Sequence, residues 1–123
     1  MVQLTPTNAR LKVLNGPGAG QVFSLDRVRI LVGRSDPPAI LVDVDLRECE
    51  LGGPPMISRR HAELQWVDGD LQLVDLDSAN GTYVDGTRLT AQTPKSPSQP
   101  VKLRDGVRIK LGNLELEVVR GEG

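Results

Sequence analysis

Hydrophobic and polar positions alternate along most of this chain. Leu11 and Val13 fall on one side and Arg10 and Lys12 on the other until Asn15-Gly16 interrupts them. That period of two belongs to a strand with one buried face. Val28, Ile30 and Val32 alternate with Arg29 and Leu31 and stop at the breaker cluster of residues 33–38. Residues 40–46 read as another strand, with Val42, Val44 and Leu46 inward and Asp43 and Asp45 outward. Ala62, Leu64 and Trp66 then alternate with His61, Glu63 and Gln65, and Asp68-Gly69 turns the chain into the run Leu71-Gln72-Leu73-Val74-Asp75. Shorter runs follow at Tyr83-Val84, Thr87-Arg88-Leu89 and Val101-Lys102-Leu103, and two longer ones over residues 107–111 and 114–119, punctuated by Asp85-Gly86, Asp105-Gly106 and Gly112-Asn113. No segment longer than ten residues carries a helical period. About eleven short strands with a turn every ~8–12 residues predict an all-β fold, in which a sandwich buries one face of each strand.

Three stretches depart from the pattern. Residues 1–8 have no apolar period and contain Thr5-Pro6, which predicts a flexible arm ahead of a single domain over 9–120 and a tail at 121–123. Residues 90–100 are rich in Thr, Ser, Gln and Pro and predict a mobile surface loop. Residues 47–55 form a connection longer than the usual ~4–6 residues, and such loops on a rigid scaffold often carry binding function.

Composition narrows the chemistry. At 123 residues the chain has room for one core, and one Phe, one Trp and one Tyr leave that core aliphatic. A net charge of -1 supplies no broad positive field, which argues against nucleic acid or an anionic membrane surface as the partner. Few aromatic rings also disfavour single-stranded nucleic acid. Cys49 is the only cysteine and cannot form an internal disulfide, no apolar run reaches the ~18 residues of a membrane span, and the polar start lacks the apolar stretch of a secretory signal. A soluble, cytoplasmic monomer is the expectation.

The candidate chemistry sits where the 47–55 loop enters a strand, at Ser58-Arg59-Arg60-His61. Guanidinium forks and a hydroxyl suit an anionic oxygen cluster such as a phosphate, although basic residues at a strand entry are ordinarily a solvated edge. Gly16-Pro17-Gly18-Ala19-Gly20 could suggest a nucleotide loop, but such a loop opens a helix, and here a short β-rich run follows. A hairpin turn explains it. Ser58 and His61 could evoke a nucleophile and its base, yet there is one histidine and no third group to orient it, so no enzyme is expected. One His and one Cys make no metal-ligand set, and no cofactor is implied.

Three loop signals line up in order: Gly33-Arg34 at a strand end, Ser58-x-x-His61 entering a hairpin, and Asn80-Gly81-Thr82 leaving it. With the Asp85-Gly86 hairpin behind them, they resemble the forkhead-associated (FHA) domain, and the similarity runs over nearly the whole chain. The resemblance implies an FHA/SMAD-like sandwich of eleven strands in two twisted, mostly antiparallel sheets, whose loops at one end grip a phosphothreonine-containing segment prepared by a Ser/Thr kinase. It implies that Arg34 and Ser58 bind the phosphate, that Arg59 contacts phosphate or peptide, and that Asn80 bonds the peptide backbone. Gly33, His61, Gly81 and Thr82 would support the site. Many family members carry Ser or Thr where this chain has Ala79, so one phosphate donor is missing. That departure keeps a second reading open, an FHA domain that assembles or scaffolds proteins without phosphate.

Overall fold

The computed structural model describes residues 3–50 and 52–121. Its strands are β1 (Ala9–Val13), β2 (Val22–Ser24), β3 (Arg29–Gly33), β4 (Val44–Asp45), β5 (Arg60–Val67), β6 (Asp70–Asp75), β7 (Thr82–Val84), β8 (Thr87–Arg88), β9 (Val101–Lys102), β10 (Arg108–Leu111) and β11 (Leu114–Arg120). They form a six-stranded sheet in the order β2-β1-β11-β10-β7-β8 and a five-stranded sheet in the order β4-β3-β5-β6-β9. Every pairing is antiparallel except β3 with β4. The predicted eleven-stranded all-β sandwich is the architecture found.

The alternation explains the core. Leu11 and Val13 of β1, Ile30 and Val32 of β3, Leu64 of β5, Leu71 and Leu73 of β6, Ile109 and Leu111 of β10, and Leu116 and Val118 of β11 are all buried. Each such side chain contributes about 1.5–3 kcal/mol through the water it leaves. Trp66 lies half-buried at the margin of this aliphatic core, its Nε1 donating to the Leu25 carbonyl at 2.8 Å.

Two expectations from the alternation need correction, and two stretches outside it make contacts that the sequence did not suggest. Val28 is 71% exposed, because β3 begins one residue later. Of residues 40–46 only Val44–Asp45 is strand. The Val42 amide instead donates to Ser35 Oγ, and Asp43 accepts the Leu31 amide on its carboxylate while its own amide donates to the Leu31 carbonyl, so side chains share the pairing with the backbone there. The described part of the predicted arm is folded onto the domain: Leu4 is buried, the Thr5 amide donates to Asn8 Oδ1 at 2.8 Å, and the Gly121 amide donates to the Asn8 carbonyl. Residues 1–2 of that arm and 122–123 of the tail lie outside the described residues. The 90–100 loop is fastened near its end, where buried Ser98 and Asp75 exchange two bonds.

The antiparallel registers gather five connections at one end of the sandwich. These are the β1–β2 turn, the segment after β3, the segment before β5, the β6–β7 loop and the β10–β11 turn. Cross-links confirm the grouping: Asn15 Nδ2 donates to the Asn113 carbonyl, the Arg34 amide to the Arg59 carbonyl, and the Gly112 amide to the Gly81 carbonyl. All the candidate residues from the sequence stand at this end.

Candidate functional site

The site begins with a break in the β3–β5 ladder. Val32 faces Ala62, but Gly33 faces Arg60, so His61 is an extra residue on β5. A bulge of this kind re-aims side chains, and it turns inward an imidazole that strict alternation would have pointed outward. His61 is fully buried. The bulge also brings the Arg59 carbonyl so close to Gly33 that any Cβ there would collide with it. Gly33 is required by that approach.

His61 joins two loops. Its Nδ1 accepts the Ser58 amide at 3.0 Å, and its Nε2 lies 2.9 Å from the Gly81 carbonyl. Because the amide can only donate, Nδ1 must carry the lone pair and Nε2 the proton, which it donates to Gly81. Burial holds the imidazole below its ordinary value, a shift only partly offset by the bond to Gly81 and the charges of Asp75 and Glu50. The ring is therefore neutral at physiological pH.

Around this joint the candidate side chains present different groups. Arg34 is half-buried; its amide donates to the Arg59 carbonyl and its Nε to the Ile57 carbonyl at 3.1 Å. Arg34 thus holds both neighbours of Ser58, while its two terminal nitrogens have no carboxylate partner among the described residues. The Ser58 hydroxyl oxygen accepts the Ala79 amide at 3.0 Å, leaving its own proton to donate. Asn80 Nδ2 donates to the Met56 carbonyl at 2.8 Å, which ties the β6–β7 loop to the β4–β5 loop and leaves Oδ1 as an acceptor with no donor among the described residues. Arg59 is exposed and its Nε pairs with Asp36 at 3.1 Å. Arg60 is exposed on the outer side of β5.

Gly81 has φ +86, where an L side chain is strained, and a Cβ there would also press on Arg88 and Tyr83. Thr82 is buried and donates its hydroxyl to Asp75 Oδ1 at 2.6 Å. The same carboxylate accepts the Ser78 hydroxyl at 2.5 Å and the Ser78 amide at 3.1 Å, while Ser78 Oγ accepts the Gly81 amide. Asp75 is a buried charge compensated by three donors, as burial demands. It shapes the turn that displays Asn80.

Asp75, Ser78 and Glu50 were not singled out by sequence reasoning. Glu50 Oε1 accepts the Met56 and Ile57 amides at 2.7 and 2.9 Å, pinning the last residues before Ser58. Asp45 Oδ1 accepts the Ser35 and Arg47 amides in the same manner; burial works against its charge, but these bonds and Arg47 prevail and hold its carboxyl below the usual value. The available signal was an acidic residue at a strand end beside a polar turn, which Asp75 followed by Ser78 and Thr82 illustrates. Cys49, the lone cysteine of the 47–55 loop, is a free thiol but a buried one, packed against Gly18, and burial pushes its thiol up.

This geometry has relatives. The chain is 32% identical over 111 residues to an oxoglutarate dehydrogenase inhibitor of Corynebacterium diphtheriae, covering 90% of this chain and 64% of that protein. It is also 32% identical over 114 residues to the glycogen accumulation regulator GarA of Mycolicibacterium smegmatis, covering 93% and 60%. The chain thus spans about three-fifths of the length of the curated relatives it matches. Among solved structures it is similar to an FHA domain studied for phosphothreonine-dependent interactions, at 27% identity and a TM-score of 0.66 over 94% of this chain and 99% of that one. The family model of the FHA domain matches residues 30–112, more than half of the chain, and with the fold and loop order in agreement the chain belongs to the FHA family.

Proposed function

We propose that this chain recognises phosphothreonine-containing protein segments, made by a Ser/Thr kinase, with the loop cluster around Ser58. The observation that carries the reading is the Arg34–Ser58 arrangement. Arg34 spends its amide and Nε on the residues flanking Ser58 and keeps its terminal nitrogens clear of any carboxylate among the described residues, while the Ser58 oxygen is occupied by an amide and keeps its proton. Both groups are thereby held as pure donors. A phosphothreonine brings about -1.5 to -2 charge and three strong acceptor oxygens, which such donors satisfy without a globally basic surface. Asn80 Oδ1 is placed to accept a peptide backbone amide, and Arg59 can exchange Asp36 for phosphate or peptide. The relative with phosphothreonine-dependent interactions supports the same reading.

Phosphate-independent assembly is the second reading, and Ala79 favours it. Ser78 does not replace the missing hydroxyl, since its Oγ is buried between Asp75 and the Gly81 amide. Matched peptides decide between the two. Calorimetry is expected to show binding of a phosphothreonine peptide that disappears when the same peptide lacks the phosphate; equal affinity for both forms would overturn the phosphothreonine reading.

A further inference from the structure

Next to the Asn80–Gly81 turn lies a patch that the phosphate site does not use. Tyr83 of β7 stands opposite Arg88 of β8 and Lys110 of β10 in the sheet register. The Arg88 guanidinium carbon and the Lys110 ammonium each lie 5.9 Å from the Tyr83 ring centroid. A ring face attracts cations, so the tyrosine holds two positive side chains on either side of itself. Both cations are exposed, and neither has a carboxylate within ion-pair distance among the described residues. Glu115 faces Lys110 in register, but its carboxylate takes the Asn15 amide nitrogen instead. On a chain of net charge -1, two uncompensated cations gathered on one ring form a local anion-attracting surface.

The patch is continuous with the site. A Cβ placed on Gly81 would lie 2.9 Å from Arg88 Nε and 3.2 Å from the Tyr83 ring, so Arg88 lines the flank of the very turn that displays Asn80. A segment whose backbone bonds Asn80 has this patch directly beside it.

We propose that Arg88 and Lys110, held by Tyr83, select phosphothreonine segments that carry Asp or Glu on the side of the phosphothreonine that leaves the site over Gly81. This inference rests on the phosphothreonine reading and adds a preference for an acidic flank. Lys flanks are disfavoured by the same charges. Because both cations are exposed, the preference weakens as salt shortens the screening length from about 10 Å at 0.1 M to about 3 Å at 1 M.

The test uses phosphothreonine peptides with alanine flanks, with an Asp pair placed before or after the phosphothreonine, and with a Lys pair in the same places. Fluorescence anisotropy would follow their binding to the wild-type chain and to Arg88→Gln/Lys110→Gln. One of the two Asp placements is expected to bind the wild type about two- to tenfold more tightly than the alanine peptide, and the double variant to erase that margin. If the wild type binds all phosphopeptides alike, or if the double variant weakens alanine- and Asp-flanked peptides by the same factor, the patch has no selecting role and the inference falls while phosphothreonine recognition stands. If no phosphopeptide binds better than its unphosphorylated match, both fall together.

Discussion

His61 Nε2 meets the Gly81 carbonyl at 2.9 Å, and this one bond, with the Ser58 amide on the other ring nitrogen, locks the two loops of the site to each other. The imidazole can serve both partners only while neutral. Its folded-state value lies below the ordinary 6.5, chiefly through burial, so the unfolded chain binds a proton here that the folded chain refuses. Stability from His61 is therefore complete above about pH 6.5 and is lost as pH falls from there toward the lowered folded value. Urea midpoints of wild type and His61→Asn should differ most near pH 7.5 and draw together as pH falls below about 6.5. A gap that stays constant over that range would contradict a neutral His61.

Arg34→Ala should remove phosphopeptide binding far more than it weakens the fold. Hydrogen bonds to charged groups contribute about 1.5–3 kcal/mol, so affinity should drop about 10- to 150-fold. The melting temperature should move by only a few degrees, since the Arg34 amide and its bond to Arg59 survive the substitution. Unchanged affinity in a folded variant would remove Arg34 from the site.

Much of this was legible in the sequence, for a physical reason. Period-two burial is written directly into runs such as Leu71-Gln72-Leu73, and glycines forced by close approach or positive φ, Gly33 and Gly81, mark loops that no other residue fits. The turn chemistry at Asn80-Gly81 and the Ser58-x-x-His61 spacing pointed to the two loops that the structure joins. What stayed hidden were contacts that depend on where the chain returns. Asp75 looks like an ordinary strand-end carboxylate until Ser78 and Thr82 close around it. Leu4 looks like a lone apolar residue in a polar arm until the sandwich offers it a place in the core. The inward turn of His61 depends on a bulge, which a strict alternation of β5 positions hides.

Asp75 gives the corresponding test of hidden support. Asp75→Asn keeps the shape but replaces one acceptor oxygen by a donor facing hydroxyls and an amide that also need to donate, and it removes the charge that strengthens those bonds. Folding stability should fall by about 2–4 kcal/mol, since a buried network loses its centre. Binding should weaken as well, because the turn displaying Asn80 loses its anchor. Chemical denaturation showing a loss below about 0.5 kcal/mol would mean that Ser78 and Thr82 hold the turn without the carboxylate.

Ala79 is exposed, its amide bonded to Ser58 Oγ, so its side chain leaves the turn at the edge of the Ser58 hydroxyl. A hydroxyl added here has no buried partner to satisfy and no core neighbour to displace. Ala79→Thr should therefore leave the melting temperature within a few degrees and add one donor to a bound phosphate. The expected gain is about 0.5–1.5 kcal/mol, or two- to tenfold in affinity for a phosphothreonine peptide, with no change for the unphosphorylated match. The control matters because a general increase in stickiness would raise both affinities. A phosphopeptide affinity that falls while stability holds would show that the position 79 side chain points away from the phosphate, and that the two donors of Arg34 and Ser58 form the anion site without help from this turn.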